Sequence, residues 1–241
     1  MLADDNATNR KLGVLMLRRL GYEIDLANDG QQAIDACANN YYDIVYMDIE
    51  MPEVDGFEAT KIIREQHNHP DLRIVAMTAN AMRGAREECI AAGMDDYIAK
   101  PIKLEHLVRT LNLKTVRQES EATPPRSSQV IDPSAIDTLL EMIGGDKEAI
   151  QELIDSYLSE APKLVTQLET GLQNQDNDLI RRAAHTLKSS SNDFGAYSLG
   201  ELCKELETAC RDGSLDFTLA TDQIAAVDNL YREVAEALAN S

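Results

Sequence analysis

Five polar residues of this chain lie where short runs rich in β-forming side chains come to an end. They are Asp4, Asp5, Asp48, Thr78 and Lys100. If these runs are parallel strands, their carboxyl ends meet at one edge of a sheet, where α/β proteins place their ligand sites. Any one of the aspartates alone would be an ordinary surface acid. Five positions at successive strand ends favour a shared site.

The side chains of this set suit a divalent cation and a phosphate group. Carboxylates that converge at one edge repel each other and need a cation between them. Hard oxygen ligands suit Mg²⁺, which keeps some of its waters and pairs readily with phosphate. Lys100 would attract a phosphate as a point charge, and the hydroxyl of Thr78 would donate a hydrogen bond to it.

The second candidate for chemistry is His185, in the stretch "RRAAHTLKSSSNDFGA". On a helix with about 100° between successive residues, the apolar side chains here cover an arc of about 140°. His185 points about 170° away from the centre of that arc, so we expect it to stand in solvent. Exposed histidines usually have no special role, but Arg181, Arg182 and Lys188 occupy adjacent helical positions. Cations around a histidine suit an anion that is attached covalently to the imidazole.

The elements that would position the first site alternate between two periods. β-rich runs occur at 22–27, 43–48, 73–78 and 96–99, and helical patterns at 7–20, 30–39, 55–66, 82–92 and about 103–112. Strands that alternate with helices predict a parallel sheet covered on both faces. Because crossovers are right-handed, the expected fold is a doubly wound α/β sheet of five strands, counting a short first strand before Asp4.

The second half of the chain is helical only. A stretch rich in Pro, Ser, Thr and Glu, at 113–129, predicts a flexible linker. Beyond it, the Asp132-Pro133 pair and Asp146 are typical helix starts. Further helices are expected at 147–173, 177–192, 197–211 and 217–239. Repeated helices with short connections predict an antiparallel four-helix bundle over 130–241.

Composition narrows the class of protein. With 241 residues, of which 44% are apolar, two domains are expected. The net charge of −19 repels nucleic acids and anionic lipids. No apolar run approaches the ~20 residues of a membrane span, and the absence of a P-loop argues against an ATP-binding kinase domain. We therefore expect a cytoplasmic protein, or the cytoplasmic part of a membrane-bound sensor.

Residues 1–112 resemble the response-regulator receiver family. The resemblance is carried by the motifs "ADDNATN", "YMDIEMPEVDG", "AMTANAM" and "GMDDYIAKPI", in that order. It implies that Asp48 is the phosphoacceptor and that Mg²⁺ is held by the side chains of Asp5 and Asp48. The backbone carbonyl of Glu50 would complete the ligand set, and Asp4 would support the metal through water.

The same resemblance assigns roles to the other strand ends. Thr78 and Lys100 would contact the phosphoryl group, and Tyr97 matches the aromatic switch position. The peptide bond before Pro101 would be cis. Only three residues precede the acidic pair, whereas receivers usually have a fuller first strand, so we expect a fragment cut within that strand.

Residues 130–241 resemble the histidine-containing phosphotransfer (HPt) family through the motif "AHTLKSSSNDFGA". His185 matches the phosphorylated histidine, Lys188 the accompanying lysine and Gly195 the glycine of the following turn. The tandem order is similar to the C-terminal part of a hybrid sensor histidine kinase.

The resemblance implies a phosphorelay module. A histidine kinase core would pass a phosphoryl group to Asp48, which would exchange it with His185, and a downstream response-regulator receiver would be the next partner. Two alternatives stay open. One is a docking module whose affinity depends on phosphorylation, and the other is a phosphate sink in which Asp48 drains His185 and hydrolyses.

Overall fold

The computed structural model describes residues 1–66, 71–79, 85–111 and 130–240. The chain divides into two compact units, Met1–Glu119 and Ser120–Ser241, which are described separately. The predicted linker at 113–129 lies outside the described residues, so its limits stay a prediction. No helix in the described ranges is both long enough and apolar enough to cross a membrane.

The first unit contains a parallel sheet flanked by helices. Its strands are β1 (Leu2–Ala3), β2 (Leu26–Ala27), β3 (Ile44–Asp48), β4 (Arg73–Thr78) and β5 (Asp96–Ala99). Its helices are α1 (Ala7–Arg19), α2 (Gly30–Asn39), α3 (Gly56–Gln66), α4 (Ala85–Ala91) and α5 (Leu104–Leu111). Among the described residues the strand order is β2-β1-β3-β4-β5, which confirms the predicted α/β doubly wound fold.

Two elements of this unit differ from the predicted ranges. The strand predicted at 22–27 is confined to Leu26–Ala27, because β1 offers only Leu2 and Ala3 as ladder partners. The helix predicted at 82–92 is described only over Ala85–Ala91, since its first residues lie outside the described ranges. The ranges of β4 and β5 agree with the prediction.

The second unit is all helical. It comprises α6 (Pro133–Met142), α7 (Lys147–Asn174), α8 (Asn177–Asp193), α9 (Tyr197–Arg211) and α10 (Phe217–Ala239). Within residues 130–240 the four long helices, α7 to α10, form the predicted bundle, in which each packs against two others. The predicted caps are confirmed, because Asp132 accepts a hydrogen bond from the backbone of Ser134 and Asp146 from that of Glu148.

The core of the bundle lies along the predicted apolar arc of α8. Its buried side chains include Ile180, Ala183, Ala184, Leu187, Ser190, Ser191 and Phe194. Tyr157 of α7 packs against Phe194, with ring centroids 5.1 Å apart. Its hydroxyl lies 2.9 Å from Oγ of Ser191, which satisfies both buried polar groups. Burial of each large apolar side chain stabilises the folded unit by about 1.5–3 kcal/mol, so the buried face of α8 fixes the orientation of this helix.

The turn after α8 requires a glycine. Gly195 has φ = +75°, and a Cβ there would lie 2.7 Å from Cβ of Ala135 and 2.9 Å from the carbonyl oxygen of Asp132. The backbone of Asp132 in turn donates to the carbonyl of Gly195 at 3.1 Å. The end of α8 and the start of α6 therefore approach more closely than any side chain allows.

We expect Gly195→Ala to destabilise the second unit more than Gly213→Ala does. Both residues have positive φ, but a Cβ at Gly213 would meet nothing within 4 Å. Gly213→Ala should therefore cost only the ~1 kcal/mol of backbone strain, whereas Gly195→Ala adds overpacking of about 1–3 kcal/mol. Hydrogen exchange of the slowest bundle amides in the full chain measures both free energies of unfolding. If both variants lost the same free energy of unfolding, the close approach of Gly195 to the start of α6 would be contradicted.

Candidate functional site

The three predicted acids of the first unit converge at the carboxyl edge of the sheet. Leu2 and Ala3 of β1 pair with Tyr46 and Met47 of β3, so the next residues along each strand, Asp4 and Asp48, lie side by side. Carboxylate oxygens of Asp4, Asp5 and Asp48 lie within 4.8 Å of one another. Asp4 and Asp48 are 0% and 2% exposed, and Asp5 is half-buried. This arrangement concentrates three carboxylates at one edge of the sheet, two of them buried.

Lys100 supplies the compensating positive charge. Its Nζ lies 2.9 Å from Oδ2 of Asp4 and 2.6 Å from Oδ2 of Asp48. Burial on its own would lower the pKa of Lys100, but Asp4 and Asp48 outweigh burial and raise that pKa, so the ammonium stays charged. The Lys100–Pro101 peptide bond is cis, as the resemblance implies.

The remaining predicted residues of this site lie around the same edge. Thr78 is buried at the end of β4, and its carbonyl accepts from the backbone of Lys100 at 2.8 Å. The backbone N–H of Glu50 points at Oδ1 of Asp48 over 3.4 Å. Tyr97, in β5, is half-buried and packs against the hydrophobic core. The structure thus brings Asp4 and Asp48 into contact with Lys100, and it places Tyr97 in β5, three residues before Lys100 in the sequence.

Asn6, the N-cap of α1, and two residues of α1 hold Asp4 in place, and sequence reasoning missed all three. The backbone of Asn6 donates to Oδ1 of Asp4 at 2.8 Å. The side chain of Asn9 donates to the same carboxylate at 3.3 Å and 3.4 Å, and Arg10 donates to the carbonyl oxygen of Asp4 at 2.6 Å. The available signal was the run of polar residues in the first two turns of the helix that follows the acidic pair.

The second predicted site differs from the prediction in one respect. His185 was expected to stand in solvent, and this expectation is wrong, since the residue is 4% exposed. Glu207 of α9 lies beside it, with Oε1 3.1 Å from Nδ1 of His185. A helical wheel treats α8 as isolated, and α9 packs along it in the folded unit. The wheel therefore located the apolar arc correctly but could not reveal the neighbour.

Glu207 connects His185 to Lys188. Its Oε2 lies 2.5 Å from Nζ of Lys188, and that Nζ lies 3.5 Å from Nδ1 of His185. Burial on its own would raise the pKa of Glu207, but the hydrogen bond and charge of His185, together with Lys188, lower it to about 2. Glu207 is therefore a carboxylate at neutral pH, and its two partners are the ammonium of Lys188 and the ring of His185.

Sequence reasoning also missed Glu207, although one signal was present. Cys203 and Cys210 are buried on the same face of α9, four residues before and three residues after Glu207. A glutamate at an apolar position of an amphipathic helix needs a partner, because an unpaired buried carboxylate is costly. The other predicted cations lie farther out, with Arg182 exposed and Arg181 3.9 Å from Asp178.

The contact with Glu207 favours one tautomer of His185. A carboxylate only accepts hydrogen bonds, so Nδ1 of His185 must carry a proton to bond with it. In this tautomer the free lone pair of the neutral ring lies on Nε2, an atom that is itself buried, and the carboxylate of Glu207 lies on the opposite side of the ring, beside Nδ1.

Family comparisons agree with this division of the chain. Residues 1–112 match the model of the family described as "Response regulator receiver domain", and residues 152–237 match the model of the Hpt domain. Signal transduction histidine-protein kinase BarA of Escherichia coli K12 is 27% identical over 247 residues, covering 99% of this chain and 27% of that protein.

Two further relatives match parts of the chain. Sensor protein EvgS of E. coli K12 is 30% identical over 207 residues, covering 86% of this chain and 16% of its own length. The solved receiver domain of sensor histidine kinase PA1611 from Pseudomonas aeruginosa PAO1 is 45% identical, with a TM-score of 0.43, and covers 46% of this chain and 90% of that structure.

This chain therefore spans about a quarter or less of the curated relatives it matches. Residues 1–112 belong to the response regulator receiver family and residues 152–237 to the Hpt family, joined in one chain as they are in the hybrid histidine kinases.

Proposed function

We propose that this chain exchanges a phosphoryl group between Asp48 and His185 as a module of a two-component phosphorelay. The observation that carries the proposal is the pair of buried, ion-paired groups. Asp48 lies 2.6 Å from the ammonium of Lys100, and His185 has its Nδ1 engaged by Glu207. One is a carboxylate beside the ammonium of Lys100, and this ammonium could also contact a phosphoryl group attached to Asp48. The other is an imidazole that, when neutral and bonded to Glu207 through Nδ1–H, carries its free lone pair on Nε2.

The donor set of the first site fits Mg²⁺. Three carboxylates within 4.8 Å of one another offer the hard oxygen ligands that this ion prefers. We propose that Asp5, Asp48 and the backbone carbonyl of Glu50 hold it, with Asp4 acting through water. A bound Mg²⁺ would offset the negative charge that builds up on the phosphoryl oxygens. The PA1611 receiver domain is described with a magnesium ion coordinated in its active site cleft.

In the first step a phosphohistidine of a histidine kinase core is the donor. A carboxylate oxygen of Asp48 attacks phosphorus in line, the P–N bond breaks, and the donor imidazole keeps the electron pair. The product is an acyl phosphate on Asp48. Lys100 already touches Asp48, so its ammonium needs only a short movement to reach a phosphoryl oxygen, and Thr78 would donate a second contact.

In the second step Nε2 of His185 attacks the phosphorus of the acyl phosphate. The P–O bond breaks, the carboxylate of Asp48 is restored, and the substituted imidazole becomes a cation that still carries its proton on Nδ1. Glu207 stabilises this cation from behind the ring, because it remains a carboxylate in the buried site. A receiver of another response regulator would then accept the group from Nε2.

Asp48→Asn should abolish phosphorylation from a small phosphodonor. Asparagine keeps the shape of the side chain but lacks a nucleophilic carboxylate, so base-labile labelling of the full chain by radiolabelled acetyl phosphate with Mg²⁺ should disappear. Asp35→Asn, at an exposed position of α2, is the matched control and should label normally. Full labelling of the Asp48 variant would show that the phosphoacceptor is a different residue.

His185→Gln should separate the two steps. Glutamine cannot form the phosphoramidate, so Asp48 should still be labelled while the acid-labile, base-stable phosphate on the chain and transfer to a second receiver are both lost. The two label types are distinguished by treatment with acid and base before electrophoresis. Unchanged onward transfer would remove His185 from the relay.

Glu207→Gln should slow phosphoryl transfer to His185 about tenfold or more, equivalent to ~1.4 kcal/mol of transition-state stabilisation. Glutamine has the same shape but no charge to stabilise the substituted imidazole. Glu201→Gln is the control, since this exposed residue of the same helix pairs only with Lys204 in the described structure. Nitrogen NMR should show the Nδ1–H form of His185 dominating in the parent chain and not in the Glu207 variant. Identical rates and spectra would contradict the role of Glu207.

A further inference from the structure

Asp4 is tied to α1 through both its carboxylate and its backbone. Nη1 of Arg10 lies 2.6 Å from the carbonyl oxygen of Asp4, and Nδ2 of Asn9 lies 3.3 Å from Oδ2 and 3.4 Å from Oδ1. Neither contact involves Asp5 or Asp48. The two residues are consecutive in the sequence, and they bind different groups of Asp4, its carboxylate and its backbone carbonyl.

Arg10 binds a backbone carbonyl just beyond the end of β1. β1 ends at Ala3, so the carbonyl of Asp4 lies beyond the last residue of the strand. A charged donor makes a short, strong hydrogen bond to that oxygen. Because the same peptide unit joins Asp4 to Asp5, fixing its carbonyl also fixes the direction in which the chain delivers Asp5 to the pocket.

The contact with Asn9 acts on the carboxylate. Lys100 also holds Oδ2 of Asp4, at 2.9 Å, but the proposed mechanism moves this ammonium towards the phosphoryl group on Asp48. Asn9 then remains as a side-chain donor to Asp4, and it carries no charge that would compete with a metal ion.

We propose that Asn9 and Arg10, named here the Asp4 clamp, are positioning residues for the magnesium site. They act through Asp4 and do not touch the ion or the phosphoryl group. The inference rests on the proposed function, in which Asp4 supports Mg²⁺ through water. Residues that orient the ligands of a metal commonly change its affinity by about 10- to 100-fold when they are substituted.

The sign of the effect separates positioning from simple electrostatics. Arg10 is a cation close to a site that binds a cation, so its charge alone repels Mg²⁺. If charge were its only influence, Arg10→Met would tighten Mg²⁺ binding. The clamp predicts the opposite, because the loss of the 2.6 Å contact frees the Asp4–Asp5 peptide.

The test is a magnesium titration of the full chain, in which NMR monitors the backbone amides of Asp5 and Glu50. Arg10→Met should raise the dissociation constant about tenfold. Lys11→Met is the matched control, since it removes the same charge from the next, exposed position of α1 and should leave the constant within about twofold. Arg10→Lys keeps a charged donor and should recover most of the affinity.

Asn9→Ala provides an independent variant that leaves the Arg10 contact intact, and it carries the test if Arg10→Met does not fold. It too should weaken Mg²⁺ binding several-fold. Thr8→Val is its control, because the buried hydroxyl of Thr8 has no hydrogen-bond partner among the described residues, and this isosteric change should have no effect. Circular dichroism melting confirms that each variant is folded.

A second measurement excludes a purely structural role. With acetyl phosphate as donor, the clamp variants should need about tenfold more Mg²⁺ for half-maximal labelling of Asp48, yet reach a saturated rate within about twofold of the parent. Unchanged or tighter Mg²⁺ binding in both variants, or an equal loss of rate at all Mg²⁺ concentrations, would overturn the clamp. A parent chain that binds no Mg²⁺ would instead overturn the metal site of the proposed function, and the clamp with it.

Discussion

A buried charge must be paired, and both candidate sites of this chain are built on that constraint. Removing an ion from water costs several kcal/mol even after the protein relaxes. In the receiver, Lys100 sits between Asp4 and Asp48, at 2.9 Å and 2.6 Å. In the Hpt domain, Glu207 sits between His185 and Lys188, at 3.1 Å and 2.5 Å. The two sites have opposite charge patterns. In the receiver one cation lies between two anions, and in the Hpt domain one anion lies between a cation and a histidine that can become one.

This opposition suits a group that is transferred between the two kinds of site. A phosphoryl group would add negative charge to Asp48, where the ammonium of Lys100 and a set of oxygen ligands suited to Mg²⁺ would offset it. On His185 it would create a positively charged ring, where the carboxylate of Glu207 is already in place and has a pKa of about 2. Each site would therefore compensate the change in charge that its own phosphorylated product brings.

Local patterns predicted the parts of the structure that depend on neighbouring residues in the sequence. The ends of β3, β4 and β5, the caps at Asp132 and Asp146, and the buried arc of α8 all follow from periodicity and turn chemistry, and the structure confirms them. The partners of the site residues were not predictable in this way. Glu207 meets His185 only because α9 packs on α8, and Arg10 meets Asp4 only because α1 turns back over β1. Contacts of this kind depend on packing, which no single-helix pattern contains.

The central claim is that one phosphoryl group visits both Asp48 and His185. The most direct measurement is a time course of label stability on the full chain, started with radiolabelled acetyl phosphate and continued after the donor is removed. Acyl phosphates are destroyed by base, whereas phosphohistidine survives base and is destroyed by acid. We expect base-labile label to appear first and to fall as base-stable, acid-labile label rises on the same protein. Label that stays base-labile until it is lost as inorganic phosphate would contradict the exchange.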